Sequence, residues 1–237
     1  MTGSEAYLRP ESVCLFGLGK SFNREYRNLH MYTIDMDEAT NIQSVIQELC
    51  SDEHQARKDI VLYREGRRYI EGIREKSVPA SKSNLLRNKG VYLITGGLGG
   101  IGFETALGIA QKAADVSLVL AGRSRLEAES EWAGILQAEI AGERADRIRR
   151  MQTLRQYTKS VQYIQCDISD EASVQALAEE IGRKYGKLNG IVHSAGVGGG
   201  TVLEHLDEAR VMNIVSPKII GTFLLDTWTR RFNPDFL

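Results

Sequence analysis

The sequence predicts an α/β protein built on a parallel sheet, and three observations carry that prediction. Short apolar runs of strand length occur at residues 91–95, 116–120, 161–166 and 188–193. The stretches between these runs show the helical spacing of apolar residues, and strands that alternate with helices form parallel sheets with right-handed crossovers. In addition, the first run leads directly into a glycine-rich turn that opens a helix. The main domain is therefore predicted to contain about four parallel strands.

The glycine-rich turn at residues 95–102 reads TGGLGGIG. Glycines let the backbone turn sharply and approach a phosphate with no Cβ in the way. The helix that follows presents N–H groups and a positive dipole end to an anion. Strand, glycine turn and helix together predict a Rossmann-like, doubly wound sheet that binds a dinucleotide. The alternative is a glycine-rich turn that binds nothing.

Composition and charge argue against several classes of protein. Hydrophobic residues make up 42% of the 237 residues, and the net charge of -1 gives no reason to expect nucleic acid or an anionic membrane as a partner. The three cysteines are scattered and form no CxxC pair, so the sequence indicates neither a disulfide scaffold nor a zinc site. Because the sequence shows no signal-peptide pattern and no apolar run of transmembrane length, the protein is expected to be cytoplasmic.

Residues 1–76 are predicted to form the end of a smaller α/β subdomain. Its predicted elements are a strand at 13–16, a strand at 31–36, a helix at 38–50 and a hairpin of 59–63 with 67–73. Gly17 and Gly19 are interpreted as a turn without a phosphate site, because no third glycine and no apolar helical pattern follow them. Residues 77–89 are rich in Ser and Lys and are predicted to be a linker, followed by the main domain at 90–237.

The helices of the main domain are predicted at residues 100–113, 126–157, 170–185 and 207–229. Gly142 is expected to divide the second of these. The part after Gly142 carries five arginines, which are interpreted as a solvated basic face rather than as a docking surface for an acidic partner. Pro217 cannot donate a hydrogen bond to the Asn213 carbonyl and is expected to kink the last helix.

The residue that selects the coenzyme is expected at the end of the second main strand. An acid there would accept from the ribose 2′-OH of NAD, whereas an arginine accommodates the 2′-phosphate of NADP. The sequence has Arg123 followed by Ser124, and a guanidinium offers a phosphate both charge and a forked donor. This favours NADP over NAD. The alternative is a surface arginine without a ligand.

The third and fourth strands end in further candidates. Asp167 could accept from the adenine amine or cap the following helix, although Asp170 is the more natural cap, and the sequence leaves both roles open. Ala195 and Gly196 would let the nicotinamide ribose pass close to the backbone. His193 is interpreted as a packed or hydrogen-bonded histidine, since no carboxylate partner for it is identifiable.

Lys218 is the most suggestive single side chain. It follows Pro217 on a helix whose neighbouring residues are mostly apolar. A lysine beside a helix break near the coenzyme could hold an oxygen or lower the pKa of a neighbouring acid. A solvated lysine is the alternative, and the residues alone do not decide between the two.

Five motifs, TGGLGGIG, LAGRSRL, CDISD, IVHSAGV and PKIIGTFLL, resemble those of short-chain dehydrogenases in order and spacing. In detail they resemble ketoreductase domains of modular type I polyketide synthases, and residues 13–73 resemble the end of the structural subdomain that precedes the catalytic one. The resemblance implies NADPH-dependent reduction of a β-ketoacyl thioester to the β-hydroxyacyl thioester. The implied partners are an acyl carrier protein, whose phosphopantetheine bears the chain, and other domains of the same synthase.

The resemblance also implies roles for single residues. In such domains a Tyr donates the proton, a Ser holds the carbonyl oxygen, and a Lys and an Asn complete the set. The Lys corresponds to Lys218 as a catalytic residue, and no metal is expected. The residues expected to contact NADPH are Thr95, Gly96, Gly97, Leu98, Gly99, Gly100, Ile101, Gly102, Arg123, Ser124, Asp167, Ile168, Ser194, Ala195 and Gly196.

Two features depart from the family pattern. The family's Ser and Tyr follow the Lys and do not occur before Leu237, so the chain is expected to be an inactive fragment with an unpaired sheet edge that favours self-association or partial disorder. Gly198, Gly199 and Gly200 stand where ketoreductases of one stereochemical type carry a sequence resembling Leu-Asp-Asp, which disfavours that type. The alternatives are a non-catalytic dinucleotide-binding or scaffolding module and a free-standing short-chain dehydrogenase. The N-terminal unit and the position of Lys218 disfavour the latter.

Overall fold

The chain divides into two compact units. The computed structural model describes residues 13–50, 59–77, 85–138, 142–158, 160–198 and 201–237. The first unit comprises Met1–Pro79 and Thr201–Leu206, and the second comprises Ala80–Gly200 and Asp207–Leu237. The second unit thus begins inside the predicted linker, whose end is ordered against it. Lys89 N donates to the Ala114 carbonyl at 2.8 Å, and Asn88 Oδ1 accepts from Ala114 N at 3.0 Å.

The described residues of the first unit hold a three-stranded sheet and two α-helices. In chain order its elements are α1 (Val13–Glu25), β1 (Thr33–Met36), α2 (Ile42–Cys50), β2 (Ile60–Arg64) and β3 (Arg67–Ile70). The strands lie in the order β1-β2-β3, with β1 and β2 parallel and β2 and β3 antiparallel. Glu65 and Gly66 have φ values of 52° and 72°, the positive sign that a two-residue type I′ turn requires. The predicted hairpin is confirmed.

The prediction of a strand at residues 13–16 is wrong, because helix α1 covers them. Gly19 is buried in this helix, and a Cβ there would lie 2.9 Å from Thr33 Oγ1. Asn23 ties the helix to the chain before β1: its Oδ1 accepts from Met31 N at 2.7 Å and its Nδ2 donates to the Met31 carbonyl at 3.0 Å. Glycine has low helix propensity, so these tertiary contacts override a local preference that suggested a turn.

The second unit holds a four-stranded parallel sheet, as predicted. Its elements are β4 (Val91–Thr95), α3 (Gly100–Lys112), β5 (Ser117–Gly122), α4 (Glu129–Ala138), α5 (Glu143–Tyr157), β6 (Ser160–Gln165), α6 (Glu171–Tyr185), β7 (Gly190–His193) and α7 (Glu208–Thr229). The strand order is β6-β5-β4-β7, and every neighbouring pair is parallel. The direction of strand addition reverses beside β4. Open sheets of this kind bind ligands at the carboxyl ends of the strands at such a switch point.

Apolar side chains cover both faces of this sheet. One face packs against α3, α4 and α5, and its buried residues include Tyr92, Ile94, Leu118, Leu120, Ile148 and Leu154. The other face packs against α6 and α7, and its buried residues include Leu93, Val119, Leu177, Ile181, Ile191 and Leu225. All five residues of β4 are buried. The sheet is therefore a rigid support for the loops at its carboxyl edge.

The last residues of the chain lie along the outer edge of β7. Ile191 N donates to the Phe236 carbonyl at 3.0 Å, and Asp235 N donates to the Asn189 carbonyl at 2.8 Å. The Phe236 ring fills the space beside Gly190, where a Cβ would lie 2.3 Å from the ring. The expectation of an unpaired edge is therefore corrected at the start of β7. The expected self-association stays a prediction.

Candidate functional site

Three glycines shape the turn between β4 and α3, each in a different way. Gly96 has a φ of 65°, and its N–H donates to the Ala121 carbonyl of the neighbouring strand at 2.7 Å. A Cβ on Gly102 would lie 2.3 Å from the Gly96 carbonyl oxygen and 2.6 Å from Ser194 Oγ. By contrast, apart from its two neighbours and its own helix backbone, no atom of the described residues lies within 4 Å of the Cβ position of Gly100. Two glycines therefore close the turn, while the third leaves open space at the start of the helix.

The N-terminus of α3 meets the requirements of an anion site. The N-cap residue Gly99 has no side chain that could cap the helix. In the described part of the chain, the first turn of α3 contains no acidic residue. Ile101, at the same end, is 79% exposed. Backbone N–H groups and the helix dipole favour a phosphate there, and no side chain competes for those donors. The residues present therefore fit the pyrophosphate of a dinucleotide.

Arg150 of α5 supports this turn through a contact that the sequence does not predict. Its Nη1 donates to the Leu98 carbonyl at 2.6 Å, and its guanidinium lies 5.6 Å from the centre of the Phe103 ring. Leu98 itself is buried, so it contributes to the site through its main chain. The contact joins residues far apart in sequence, and no local pattern could have indicated it.

The other arginines of α5 also have partners within the second unit. The ion pairs are Arg144 with Glu127 at 3.1 Å, Arg147 with Glu127 at 4.0 Å, Arg149 with Asp146 at 3.0 Å and Arg155 with Glu129 at 2.5 Å. The Arg155 guanidinium also lies 5.0 Å from the centre of the Trp132 ring. The interpretation of this helix as a solvated basic face is therefore only partly right, since intramolecular carboxylates offset much of its charge.

Side chains of β6 hold the backbone of the loop that follows β5. Gln165 Nε2 donates to the Arg123 carbonyl at 3.1 Å, and the Tyr163 hydroxyl donates to the Ser124 carbonyl at 2.5 Å. Arg123 and Ser124 are both exposed. The Arg123 guanidinium contacts a neutral group, Asn213 Oδ1, at 3.3 Å. Its charge is thus presented at the carboxyl edge of the sheet with a weak, neutral partner, which suits recognition of a phosphate.

The capping alternative for Asp167 is decided in favour of Asp170. The Asp170 carboxylate accepts from Ser173 N at 2.8 Å and caps α6, whereas Asp167 Oδ1 accepts from Ser169 N at 2.9 Å within the preceding turn. Hydrogen bonds from Ser173 lower the pKa of Asp170 from its usual value. Contact of Asp167 with an adenine stays a prediction. The Ile168 side chain is buried in the core, so only its main chain could face a coenzyme.

A chain of hydrogen bonds runs from β4 through His193 to α7. Thr95 and His193 are register partners on neighbouring strands, with Thr95 Oγ1 2.7 Å from His193 Nδ1. Ala195 N donates to Thr95 Oγ1 at 3.2 Å, and His193 Nε2 lies 2.9 Å from the Pro217 carbonyl oxygen. The interpretation of His193 as a hydrogen-bonded histidine is confirmed. The Thr95 hydroxyl is buried and fully engaged, so Thr95 supports the site from inside the protein.

Lys218 lies at the same edge of the sheet. Pro217 stands inside α7, and the exposed Lys218 follows it. The Cε of Lys218 lies 3.6 Å from the position that a Cβ would take on Gly196. Ser194, two residues earlier, approaches the glycine turn so closely that a Cβ on Gly96 would lie 2.9 Å from its carbonyl oxygen. The structure thus brings Lys218, the segment after β7 and the glycine turn together.

Gly199 and Gly200, which stand where ketoreductases of one stereochemical type carry a sequence resembling Leu-Asp-Asp, lie outside the described residues. Across the described ranges, no helix has both the length and the apolar character needed to span a membrane.

Comparison with known sequences identifies relatives among large synthases. Polyketide synthase PksN of Bacillus subtilis (strain 168) is 31% identical over 223 residues, which make up 94% of this chain and 4% of that protein. The 6-methylsalicylic acid synthase of Aspergillus terreus (strain NIH 2624 / FGSC A1156) is 34% identical over 157 residues, or 65% of this chain and 9% of that protein. The chain therefore corresponds to a small part of these multidomain proteins.

Comparison with solved structures points the same way. A ketoreductase domain from the bacillaene assembly line is 29% identical, with a TM-score of 0.76 over 94% of this chain and 49% of that chain. An N-terminal ketoreductase from the macrolactin assembly line shares the fold, with a TM-score of 0.71 at 24% identity over 98% of this chain and 44% of that chain.

The sequence model of the KR domain family matches residues 90–237, which is more than half of the chain. The chain therefore belongs to this family, the ketoreductase domains of polyketide synthases with a short-chain dehydrogenase fold. The resemblance identified from the five motifs is confirmed.

Proposed function

We propose that the second unit is the NADPH-binding part of a ketoreductase that converts a β-ketoacyl thioester on an acyl carrier protein to the β-hydroxyacyl thioester. One observation carries the proposal: at a single edge of the sheet, the open N-terminus of α3 and the Arg123 guanidinium offer two separate anion sites. A dinucleotide that bears an additional phosphate on its adenosine ribose has the matching charges.

The residues would divide the coenzyme among them as follows. Backbone N–H groups at the N-terminus of α3 would bind the pyrophosphate, and Arg123 with Ser124 would bind the 2′-phosphate. Asp167 would accept from the adenine amine. The segment from Ser194 to Gly196 would lie along the nicotinamide ribose, where Gly196 keeps the approach free of a Cβ. When bound, NADPH supplies the hydride that reduces the ketone.

Lys218 is the catalytic residue that this chain contributes. The Cε of its side chain lies beside Gly196 at the carboxyl end of β7, where the nicotinamide half of the coenzyme is expected. A cation at that place would hold a ribose or substrate oxygen and would lower the pKa of an acid that protonates the product oxygen. That the 237-residue chain by itself does not reduce a β-ketoacyl thioester stays a prediction, which an NADPH oxidation assay with such a thioester tests.

The coenzyme preference is the most direct test. Titration of the chain with NADPH and with NADH, followed by coenzyme fluorescence, should give tighter binding of NADPH. Arg123→Asp should reduce the preference by about tenfold or more, because it removes a charge-assisted contact worth about 1.5–3 kcal/mol. Arg183→Asp, at an exposed arginine on α6, is the matched control and should leave the preference unchanged. An unchanged preference in Arg123→Asp would show that the assignment is wrong.

A further inference from the structure

The tautomer of a neutral His193 follows from its partners. The Pro217 carbonyl can only accept, so His193 Nε2 must carry the hydrogen of the 2.9 Å bond. In the neutral imidazole Nδ1 then has a free lone pair, which accepts from the Thr95 hydroxyl at 2.7 Å. The Thr95 oxygen in turn accepts from Ala195 N at 3.2 Å. Each donor in this row of hydrogen bonds meets an acceptor, so the bonds run in a single consistent direction.

The bond to α7 acts on a particular peptide group. The carbonyl of Pro217 and the N–H of Lys218 belong to the same planar peptide group. A hydrogen bond that fixes the orientation of the carbonyl therefore also fixes the orientation of the Lys218 N–H. The helix lacks one of its own hydrogen bonds here, because Pro217 has no N–H to donate to the Asn213 carbonyl. The imidazole thus contacts α7 at the proline where this bond is missing.

The other end of the chain of bonds reaches the coenzyme site. Thr95 is the last residue of β4 and immediately precedes the glycine turn. Through Thr95 and Ala195, the imidazole is bonded to the segment whose Gly196 lies against the Lys218 side chain. His193 therefore connects the two pieces of backbone whose separation sets the position of the ammonium.

We propose that His193 is a positioning residue for Lys218, which it holds at the carboxyl end of β7 by binding Thr95 and the Pro217–Lys218 peptide at the same time. The inference rests on the proposed function, because it requires that Lys218 contact NADPH. His193 itself touches neither coenzyme nor substrate in this account.

Three substitutions separate the two bonds of the imidazole. In His193→Gln the longer amide can donate to Pro217, in His193→Asn the shorter amide can accept from Thr95 only, and His193→Phe makes neither bond. The Asn and Phe variants should bind NADPH about tenfold more weakly, the effect of one lost hydrogen bond of about 1.4 kcal/mol, and the Gln variant should stay within about threefold of the parent. His30→Phe, in the first unit, is the control.

A role in stability alone makes a different prediction. It would lower the urea midpoint of unfolding in all three variants and leave the NADPH dissociation constant of the folded protein unchanged. Weakened binding in the Phe and Asn variants at an unchanged midpoint, with rescue by Gln, supports positioning. Equal NADPH dissociation constants in the three variants would overturn the inference that His193 positions Lys218.

A double-mutant cycle with Lys218→Ala tests the route of the effect. If His193 acts through Lys218, His193→Phe should weaken NADPH binding in the parent chain and add nothing in the Lys218→Ala chain. A similar loss in both chains would overturn the inference and leave the proposed role of Lys218 intact. If Lys218→Ala alone binds NADPH as tightly as the parent, the assigned role of Lys218 fails, and the inference fails with it, while the Arg123 titration still tests the coenzyme.

Discussion

Two stretches of this chain combine apolar residues with closely spaced glycines, and only one of them forms a turn. Gly17 and Gly19 lie within the thirteen-residue helix α1 of the first unit. In the second unit, residues 96–99 form the turn between β4 and α3, and residues 100–102 are the first residues of α3. The two stretches look alike as local patterns, and their surroundings differ.

The difference lies in the apolar run before the glycines. The run before Gly96 pairs with strands on both sides, and all five of its residues are buried. Val13 and Leu15, before Gly17, are each 54% exposed and belong to a helix. Glycine permits a turn and does not impose one. A phosphate-binding turn therefore requires the paired strand that ends at Thr95 as much as it requires the glycines.

The largest effect is expected for Gly102→Ala. The added methyl group would lie 2.3 Å from the Gly96 carbonyl oxygen, and this contact is to backbone that cannot move aside cheaply. The second unit should lose about 3 kcal/mol of unfolding free energy, at the upper end of the cost of overpacking. Both tryptophans, Trp132 and Trp228, lie in this unit, so urea unfolding followed by tryptophan fluorescence measures the loss. An unchanged midpoint would contradict the close packing described for the turn.

Gly100→Ala should separate binding from stability. Apart from its two neighbours and its own helix backbone, no described atom lies within 4 Å of the new methyl group, and alanine favours a helix over glycine by up to about 1 kcal/mol, so the unfolding midpoint should hold or rise. NADPH binding should nevertheless weaken by about tenfold or more, because the methyl group occupies the space through which the pyrophosphate reaches the helix N-terminus.

Gly108→Ala is the matched control for this experiment. Gly108 lies in the same helix α3, and its Cβ position is equally open among the described residues. The substitution should raise stability to a similar extent and leave the NADPH dissociation constant unchanged. If the two variants bind NADPH equally well, the open space beside Gly100 is not a phosphate site.

The sequence predicts the second unit well, because its elements are encoded locally. The four strands, the division of the long helix at Gly142 and the cap at Asp170 all follow from apolar spacing, glycine and hydrogen-bonding side chains. Arg123 and Lys218 could also be selected, since a strand end marks the first and the proline inside the last helix marks the second.

The parts that escaped prediction depend on tertiary contacts. Helix α1 exists because Gly19 fits against Thr33 and Asn23 binds Met31, and neither contact leaves a periodic signal. The same holds for the bond from Arg150 to the Leu98 carbonyl, which spans 52 positions of the chain. Local patterns thus place the site on the sheet, whereas the side chains that stabilise its loops emerge only from packing.

Gly17→Ala should stabilise the first unit, with a smaller effect than the changes above. The Cβ position of Gly17 is open among the described residues, so the gain should approach the helix propensity difference of about 1 kcal/mol. Gly19→Ala is the matched comparison, because its methyl group would lie 2.9 Å from Thr33 Oγ1 and should cancel that gain. Slower hydrogen exchange of α1 amides in the first variant alone measures the difference. Equal protection in both would mean that Gly19 does not pack against Thr33.

Thiol reactivity should distinguish the two units with the smallest perturbation. Cys14 and Cys50 of the first unit are exposed, whereas Cys166 of the second is buried, and burial, aided by the nearby Asp167 and Asp170 charges, raises its pKa to about 11. The thiolate is the reactive form, so a raised pKa leaves Cys166 largely protonated at mildly alkaline pH, where the exposed thiols react readily.

A disulfide reagent should therefore modify two thiols quickly in the folded chain and the third only slowly, with all three reacting quickly in urea. Cys166→Ser should remove the slow phase alone. The rate of that phase should keep rising with pH through the alkaline range, because the pKa of Cys166 is raised to about 11 and its thiolate fraction increases as the pH approaches that value. Three equal rates in the folded chain would mean that the end of β6 is open to solvent, and the account of a densely packed second unit would have to be revised there.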